Sequence, residues 1–367
     1  MNLKNNTLSL KTIVGLIIIL IFLTLLSYRD FLITIKLMLF HFYDFPMLPL
    51  DPYYKIILLF DGFEVTRGDR HVEDGWYWQY LRFLPLLINW ITFKLIPCFQ
   101  MAAIPEQVSY EIYCSIWSIS LVNYISGILT QISFFLLIKY KFQRPIGECV
   151  LILLTSYFII NFLDRYGVDR LSFLFLVIFF LLEKKTRIIY FLIVLSIFIN
   201  EKCLLLICSY YFLRNIDPKH LIKSSFNKAF ILSFALCLTY LYIIFFKFKD
   251  YMSMGIVDFN YLSFHALSNS IFPLILITVP FLIYFSKKNI LKLFKLKRNF
   301  ILIIILFFVL GIFVGGTGNM GRYLTYTMVI FLPLLNFLIF KILFNFDYFF
   351  LSPKYSKIEI IKMLTKH

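Results

Sequence analysis

Residues 111–138 read EIYCSIWSISLVNYISGILTQISFFLLI, and the six that follow, 139–144, read KYKFQR. The first stretch carries one charge, Glu111, at its very start, and at about 1.5 Å per residue it is long enough to cross a hydrocarbon core of about 30 Å. The second puts Lys139, Lys141 and Arg144 directly behind it. An apolar segment ending in a basic cluster is the signature of a spanning helix with a cytoplasmic end, because retained loops keep cations and translocated loops shed them. The rest of the chain repeats the pattern. Of its 367 residues 61% are hydrophobic and 15% are charged, against roughly 25% charged in a soluble domain, and the mean hydropathy is +0.84. These values exclude an ordinary soluble globule and indicate an all-α, polytopic helical membrane protein.

On either side of that stretch, further apolar runs lie at Leu10–Ser27, Glu148–Leu163, Leu171–Leu182, Ile188–Ile199, Cys203–Leu213, Ala229–Phe246, Ser268–Phe285, Phe300–Val314 and Tyr323–Phe340, which makes about ten spans. With the N-terminus inside, the inner segments collect 23 of the 36 Lys and Arg residues and 5 of the 20 acids, a balance of +18 inside against −2 outside. That asymmetry orients the protein as a multi-pass component of a bacterial inner (plasma) membrane with both termini cytoplasmic. One integral membrane domain, 1–367, then divides into a first span at 10–27, an acidic outer loop at 28–110, nine further spans within 111–340 and a basic cytoplasmic tail at 341–367. Inside the loop, Phe31–Tyr43 and Arg82–Phe99 carry Lys36, His41, Lys94, Pro85 and Pro97, and read as amphipathic helices lying at the interface. Counting the second as a span would carry Lys139, Lys141 and Arg144 to the outside. Because loop charges account for the net charge of +16, no nucleic-acid partner is implied. Six cysteines, Cys98, Cys114, Cys149, Cys203, Cys208 and Cys237, form no C-x-x-C pair and read as small core residues, not as a disulfide or metal framework.

Three of the runs, Leu171–Leu182, Ile188–Ile199 and Cys203–Leu213, hold only 12, 12 and 11 residues. Helices of about 18 Å in a core of about 30 Å draw their outer ends below the membrane surface. The polar groups assigned to the outer side are Arg29-Asp30; the segment 51–82, DPYYKIILLFDGFEVTRGDRHVEDGWYWQYLR, with Asp51, Glu73, Asp74 and Arg82; Asp164-Arg165 and Asp169-Arg170; Asn200-Glu201-Lys202; and GGTGNMGR at 315–322, which ends in Arg322. Charges recessed in a bilayer are costly unless they pair or line a wet cavity, so acids and bases converging at the ends of short helices read as a site. Solvated surface charge is the plainer account of Asp61, Glu64, Arg67, Asp69 and Arg70, whereas for Asp164/Arg165 and Asp169/Arg170 helix-end ion pairs and a functional site account for the charges equally well. Glu201-Lys202, at the tip of a short hairpin, is harder to explain that way. The glycine run is no P-loop, since the Lys-Ser/Thr that would follow is missing. Trp76 and Trp78, beside Glu73-Asp74, offer a flat apolar face of the kind a pyranose stacks on, or else belong to an aromatic belt. The acidic groups suit a hard divalent cation, Mg or Mn, without specifying one.

This layout resembles the GT-C glycosyltransferases: a first span, an acidic outer loop with interfacial helices, a Tyr/Trp-rich segment running into Arg82-Phe-Leu-Pro85, short paired spans and the Asn-Glu-Lys tip at 200–202. The likeness covers nearly the whole chain. It implies transfer of a sugar from a polyprenyl-phosphate donor to a lipid-linked or glycan acceptor on the outer face. A carboxylate of the first outer loop would serve as general base, for which Asp30, Asp51, Glu73 and Asp74 are the nearest matches. The chain departs from the family in having no Asp-Asp or Glu-x-Asp pair shortly after the first span. Arg82, Arg165, Arg170, Lys202 and Arg322, with Asp169 and Glu201 among them, are the groups available to bind the substrate phosphate, and an arginine fork matches a phosphate edge. The segment from Arg170 to Glu183-Lys-Lys also resembles exopolysaccharide and O-antigen polymerases. A lipid-linked sugar flippase or transporter is the reading from another class; against it, the sequence has no internal repeat and no matched pair of broken helices.

Overall fold

A long helix opens the described part of the chain. The computed structural model describes residues 10–44, 82–101, 103–104, 108–162, 169–183, 186–215, 224–247, 326–329, 332–333 and 336, and their regular structure is entirely helical. The helices are α1 (Leu10–Asp44), α2 (Phe83–Leu95), α3 (Tyr110–Leu136, passing into a π-helical turn at Leu137–Lys141), α4 (Ile146–Phe162), α5 (Asp169–Leu182), α6 (Thr186–Ile197), α7 (Glu201–Asn215) and α8 (Ser224–Lys247). The expected spans at Ser268–Phe285 and Phe300–Val314, and the tail 341–367, lie outside the described residues.

Local chemistry sets these boundaries. The Ser109 hydroxyl accepts the Ile112 N–H at 3.3 Å and starts α3, with Glu111 in the first turn facing the positive end of the helix dipole. After the π-helical turn, Gln143 takes a left-handed φ of 54° and Pro145 follows, so the chain reverses into α4. Pro85 falls in the first turn of α2, where a missing N–H breaks no helical bond. That helix ends before Pro97.

Two segments, Val14–Lys36 and Tyr110–Lys141, are long and apolar enough to cross a membrane. Val14, Ile17, Ile18, Ile21, Phe22 and Leu25 form an exposed apolar stripe on α1, while Ser115, Ser118, Asn123, Ser126, Thr130 and Gln131 are buried along α3. Hydroxyls there donate to their own helix, Ser118 to the Ser115 carbonyl at 2.8 Å and Thr130 to the Ser126 carbonyl at 2.7 Å, so their burial leaves no donor wasted.

Helix α3 is the hub and packs on α1, α2, α4 and α5; α6, α7 and α8 form the adjoining group, joined to it through α5. One apolar cluster centres on Phe134, Phe173, Phe179, Cys203 and Tyr211, and a second gathers Phe31, Ile35, Leu86, Tyr113 and Trp117. Helices α3 and α5 run parallel: Gly127 lies by Arg170, Phe134 meets Phe173 at 5.9 Å between ring centroids, and Lys141 donates to the Phe180 carbonyl at 2.6 Å.

Two expectations are corrected here. Phe31–Tyr43 is no separate interfacial helix but the second half of α1. Neither Gly nor Pro interrupts the chain near Ser27, the Thr34 hydroxyl bonds the Asp30 carbonyl at 2.7 Å, and Phe31, Thr34, Ile35 and Leu39 make one buried face. Cys98 and Cys114 are not independent core residues either: they form a disulfide with Cα atoms 5.5 Å apart, whereas Cys149, Cys203, Cys208 and Cys237 are free. After α2 the chain doubles back along α3. The Tyr113 hydroxyl accepts the Met101 N–H and donates to the Phe99 carbonyl, and the Tyr110 hydroxyl donates to the Cys98 carbonyl, which seats Cys98 against the start of α3.

Candidate functional site

Short helices bring their charged first residues together. At the start of α7 the Asn200 carboxamide oxygen accepts the Lys202 N–H at 3.0 Å, the bond of an asparagine N-cap. Its amide nitrogen donates to Ser172 Oγ of α5 and to Tyr326 Oη, both at 3.3 Å. The Tyr326 hydroxyl donates to Asp169 Oδ1 at 2.9 Å, and Lys202 Nζ stands 3.4 Å from that same oxygen. Beside this knot, Arg82 grips Glu201 side-on: Nε donates to Oε2 at 3.0 Å and Nη2 to Oε1 at 2.6 Å. The Leu84 N–H bonds the Phe198 carbonyl at 2.9 Å and holds the start of α2 to the end of α6. Arg170, next to Asp169, brings Nη1 to the flank of Gly127, 3.9 Å from where a β-carbon would sit.

Most of this is buried, with Glu201 half-buried. Asp169 has no exposed surface, and Arg82, Arg170 and Lys202 are each at most 6% exposed. Glu201 is the carboxylate partner of Arg82. Among the described residues Arg82 pairs with Glu201 and Lys202 with Asp169, and Arg170 is the next residue after Asp169. Its depth follows from α3: Gly127 is 17 residues beyond Tyr110, about 25 Å along the helix.

Five residues expected from the sequence thus converge: Arg82, Asp169, Arg170, Glu201 and Lys202. Asp30 does not join them by any direct contact. It sits partly buried in mid-α1 and accepts the Tyr157 hydroxyl of α4 at 2.9 Å, with no ion-pair partner among the described residues. Asp51, Glu73, Asp74, Trp76, Trp78, Arg165 and Arg322 lie outside the described residues. Sequence reasoning missed Ser172, Tyr326 and the bridging role of Asn200. A capping asparagine ahead of Glu-Lys was a usable signal; a tyrosine at the start of an apolar run was not. Among the described residues no three His, Cys, Asp or Glu side chains gather into a metal-holding group. No protein-family model, curated protein or solved structure matches the chain. Chemically, oriented cations and carboxylates removed from water act strongly on any charged group brought against them, because water cannot screen them.

Proposed function

We propose that this chain is a GT-C-like glycosyltransferase of a bacterial inner membrane, crossing the bilayer ten times and moving a sugar from a polyprenyl phosphate to a lipid-linked or glycan acceptor at the outer face. The observation that carries this reading is the buried cluster of Arg82, Arg170 and Lys202 against Asp169 and Glu201, recessed at the starts of two short helices. The contacts support the sidedness read from the charge distribution. Lys141 and Glu183, from two segments read as cytoplasmic, meet at one end of the bundle with Tyr210. Arg82, Asp169, Asn200, Glu201 and Lys202, read as outer, meet at the other with Tyr326. The Cys98–Cys114 bond lies at the outer end of α3, and disulfides persist in oxidising compartments.

With Lys139 taken as the inner boundary, Gly127 is 12 residues above it, about 18 Å, which sets Arg170 about 12 Å below the outer limit of a core of about 30 Å. A phosphate at that depth is stable only opposite cations, while its isoprenoid tail stays among lipid chains. In the reaction the acceptor oxygen attacks the anomeric carbon, the bond from that carbon to the phosphate oxygen breaks, and the electron pair leaves with the polyprenyl phosphate. Arg170, Lys202 and Arg82 stabilise that leaving group. Asp30, whose carboxylate accepts the Tyr157 hydroxyl, takes the acceptor proton.

Detergent-purified protein incubated with labelled polyprenyl-phosphate sugar and an acceptor lipid should form product without any sealed membrane. Asp30→Asn should abolish transfer, and Lys202→Ala or Arg170→Ala should slow it roughly a hundredfold or more. Chelation in the same assay decides whether Mg or Mn takes part. Activity that appears only across a vesicle boundary would make the protein a transporter and end the glycosyltransferase reading.

A further inference from the structure

Helices α7 and α8 run antiparallel, with a pair of thiols between them. Phe212 meets Phe230 at 5.8 Å between ring centroids, and the Cys237 thiol donates to the Leu204 carbonyl at 3.9 Å. The same register sets Cys208 level with Ser233, and a hydrogen bond joins those two side chains. Cys208 and Cys237 therefore start one helical turn apart along the shared axis. Because Cα–Cβ bonds lean toward the N-terminus of their own helix, the two side chains of an antiparallel pair tilt toward one another. Their sulfurs meet: the thiols hydrogen-bond to each other, and both are free of any disulfide. We infer that Cys208 and Cys237 are a dithiol site that a lipid-soluble quinone oxidises to a disulfide, bolting α7 to α8.

The surroundings select the oxidant. Leu204, Leu236 and Tyr240 pack around Cys237, and Ile231, Phe234 and Leu238 expose an apolar face on the same helix. A quinone partitions into such surroundings, whereas a small polar oxidant such as hydrogen peroxide must give up its hydrogen bonds to water. The two thiols are unequal: Cys208 is half-buried and Cys237 is 6% exposed. A reachable thiol beside a resolving one is the arrangement that oxidises reversibly. Cys208 delivers its sulfur to the quinone, and Cys237 then attacks that sulfur. Two S–H bonds break and one S–S bond forms; two electrons and two protons pass to the quinone, which leaves as hydroquinone. Cys149 and Cys203 donate instead to the backbone carbonyls of Arg144 and Ser172. Glu201 and Lys202 open α7 about 10 Å from Cys208, so the bond would fix the helix that carries them.

The choice of oxidant rests on the membrane reading of the chain; the thiol pair does not, and one experiment separates them. The full-length protein in lipid nanodiscs, without oxygen, is treated with a short-chain alkyl benzoquinone, then denatured, alkylated and mapped by mass spectrometry. The peptides carrying Cys208 and Cys237 should be joined, one hydroquinone should appear per bond, and a dithiol reductant should part them. Hydrogen peroxide at the same concentration should form the bond at least tenfold more slowly. Oxidation should raise the melting temperature by several degrees, since closing the loop from 208 to 237 restrains the unfolded chain. Cys208→Ser and Cys237→Ser should each lose both the bond and the shift, and the melting temperature of each untreated variant reports its folding. Both thiols still free under excess quinone, a quinone adduct that stays on Cys208, a bond to Cys149 or Cys203 in place of either partner, or an equal shift in the serine variants would overturn the site. A bond that peroxide forms as fast as the quinone does would overturn only the oxidant.

Discussion

The two ends of the bundle handle buried charge differently. At one end Lys141 donates to Glu183 at 2.7 Å and to the Phe180 carbonyl at 2.6 Å, and Glu183 also accepts the Tyr210 hydroxyl at 2.6 Å. One cation meets one anion at short range. At the other end Arg82 binds Glu201 side-on, and Lys202 stands 3.4 Å from the Asp169 oxygen that the Tyr326 hydroxyl reaches at 2.9 Å. Short contacts between few groups lock helices together; longer ones within a polar network hold several side chains in register. Buried ionic groups can therefore do either job in one protein, and distance tells the jobs apart better than burial does.

The largest test of that contrast is at the locked end. Glu183→Gln should lower stability by about 3–5 kcal/mol, since it strands a buried ammonium, while leaving the donor KM of the surviving protein unchanged. Thermal unfolding in detergent, with kinetics on the folded fraction, checks both halves; a shift in KM would mean the two ends are not independent. Next, replacing Cys98 and Cys114 together by Ser opens a loop of 16 residues and should cost about 3 kcal/mol. Impermeant maleimide should label these two thiols in intact cells only after reduction, and labelling without reductant would disprove the bond. The smallest effect concerns Gly127. A β-carbon there would lie 3.5 Å from Ile160 Cγ2 and 3.9 Å from Arg170 Nη1, ordinary contact distances. Gly127→Ala should therefore stabilise α3 by up to about 1 kcal/mol. Gly127→Leu should displace Arg170 and weaken donor binding, and equal behaviour of the two variants would remove Arg170 from the site.

Much of the described helical framework was legible because apolar length and basic punctuation are written locally. The run expected at Glu111–Ile138 is α3 at Tyr110–Leu136, that at Glu148–Leu163 is α4, and the three short runs from Leu171 to Leu213 are α5, α6 and α7. The charged tips were legible too, since Asp169-Arg170 and Glu201-Lys202 interrupt apolar sequence where only a reason to be there would keep them. Continuity of α1 past Ser27 was not, because Arg29-Asp30 looks like a helix end until Tyr157, from 127 residues away, supplies the acid with a partner. Nor was the disulfide, whose two cysteines are brought together by a reversal after α2 that hangs on tyrosine hydroxyls. Tyr326 was invisible for the same reason: its meaning comes from Asp169, 157 positions earlier in the chain.

Helix α2 is fastened at both ends, by Arg82 and Leu84 to the α6–α7 turn and by Cys98 to α3. Mechanically it is a tie-rod about 20 Å long. Withdrawing the α6–α7 hairpin would drag α3 by its covalent anchor, so these helices behave as a single load-bearing frame.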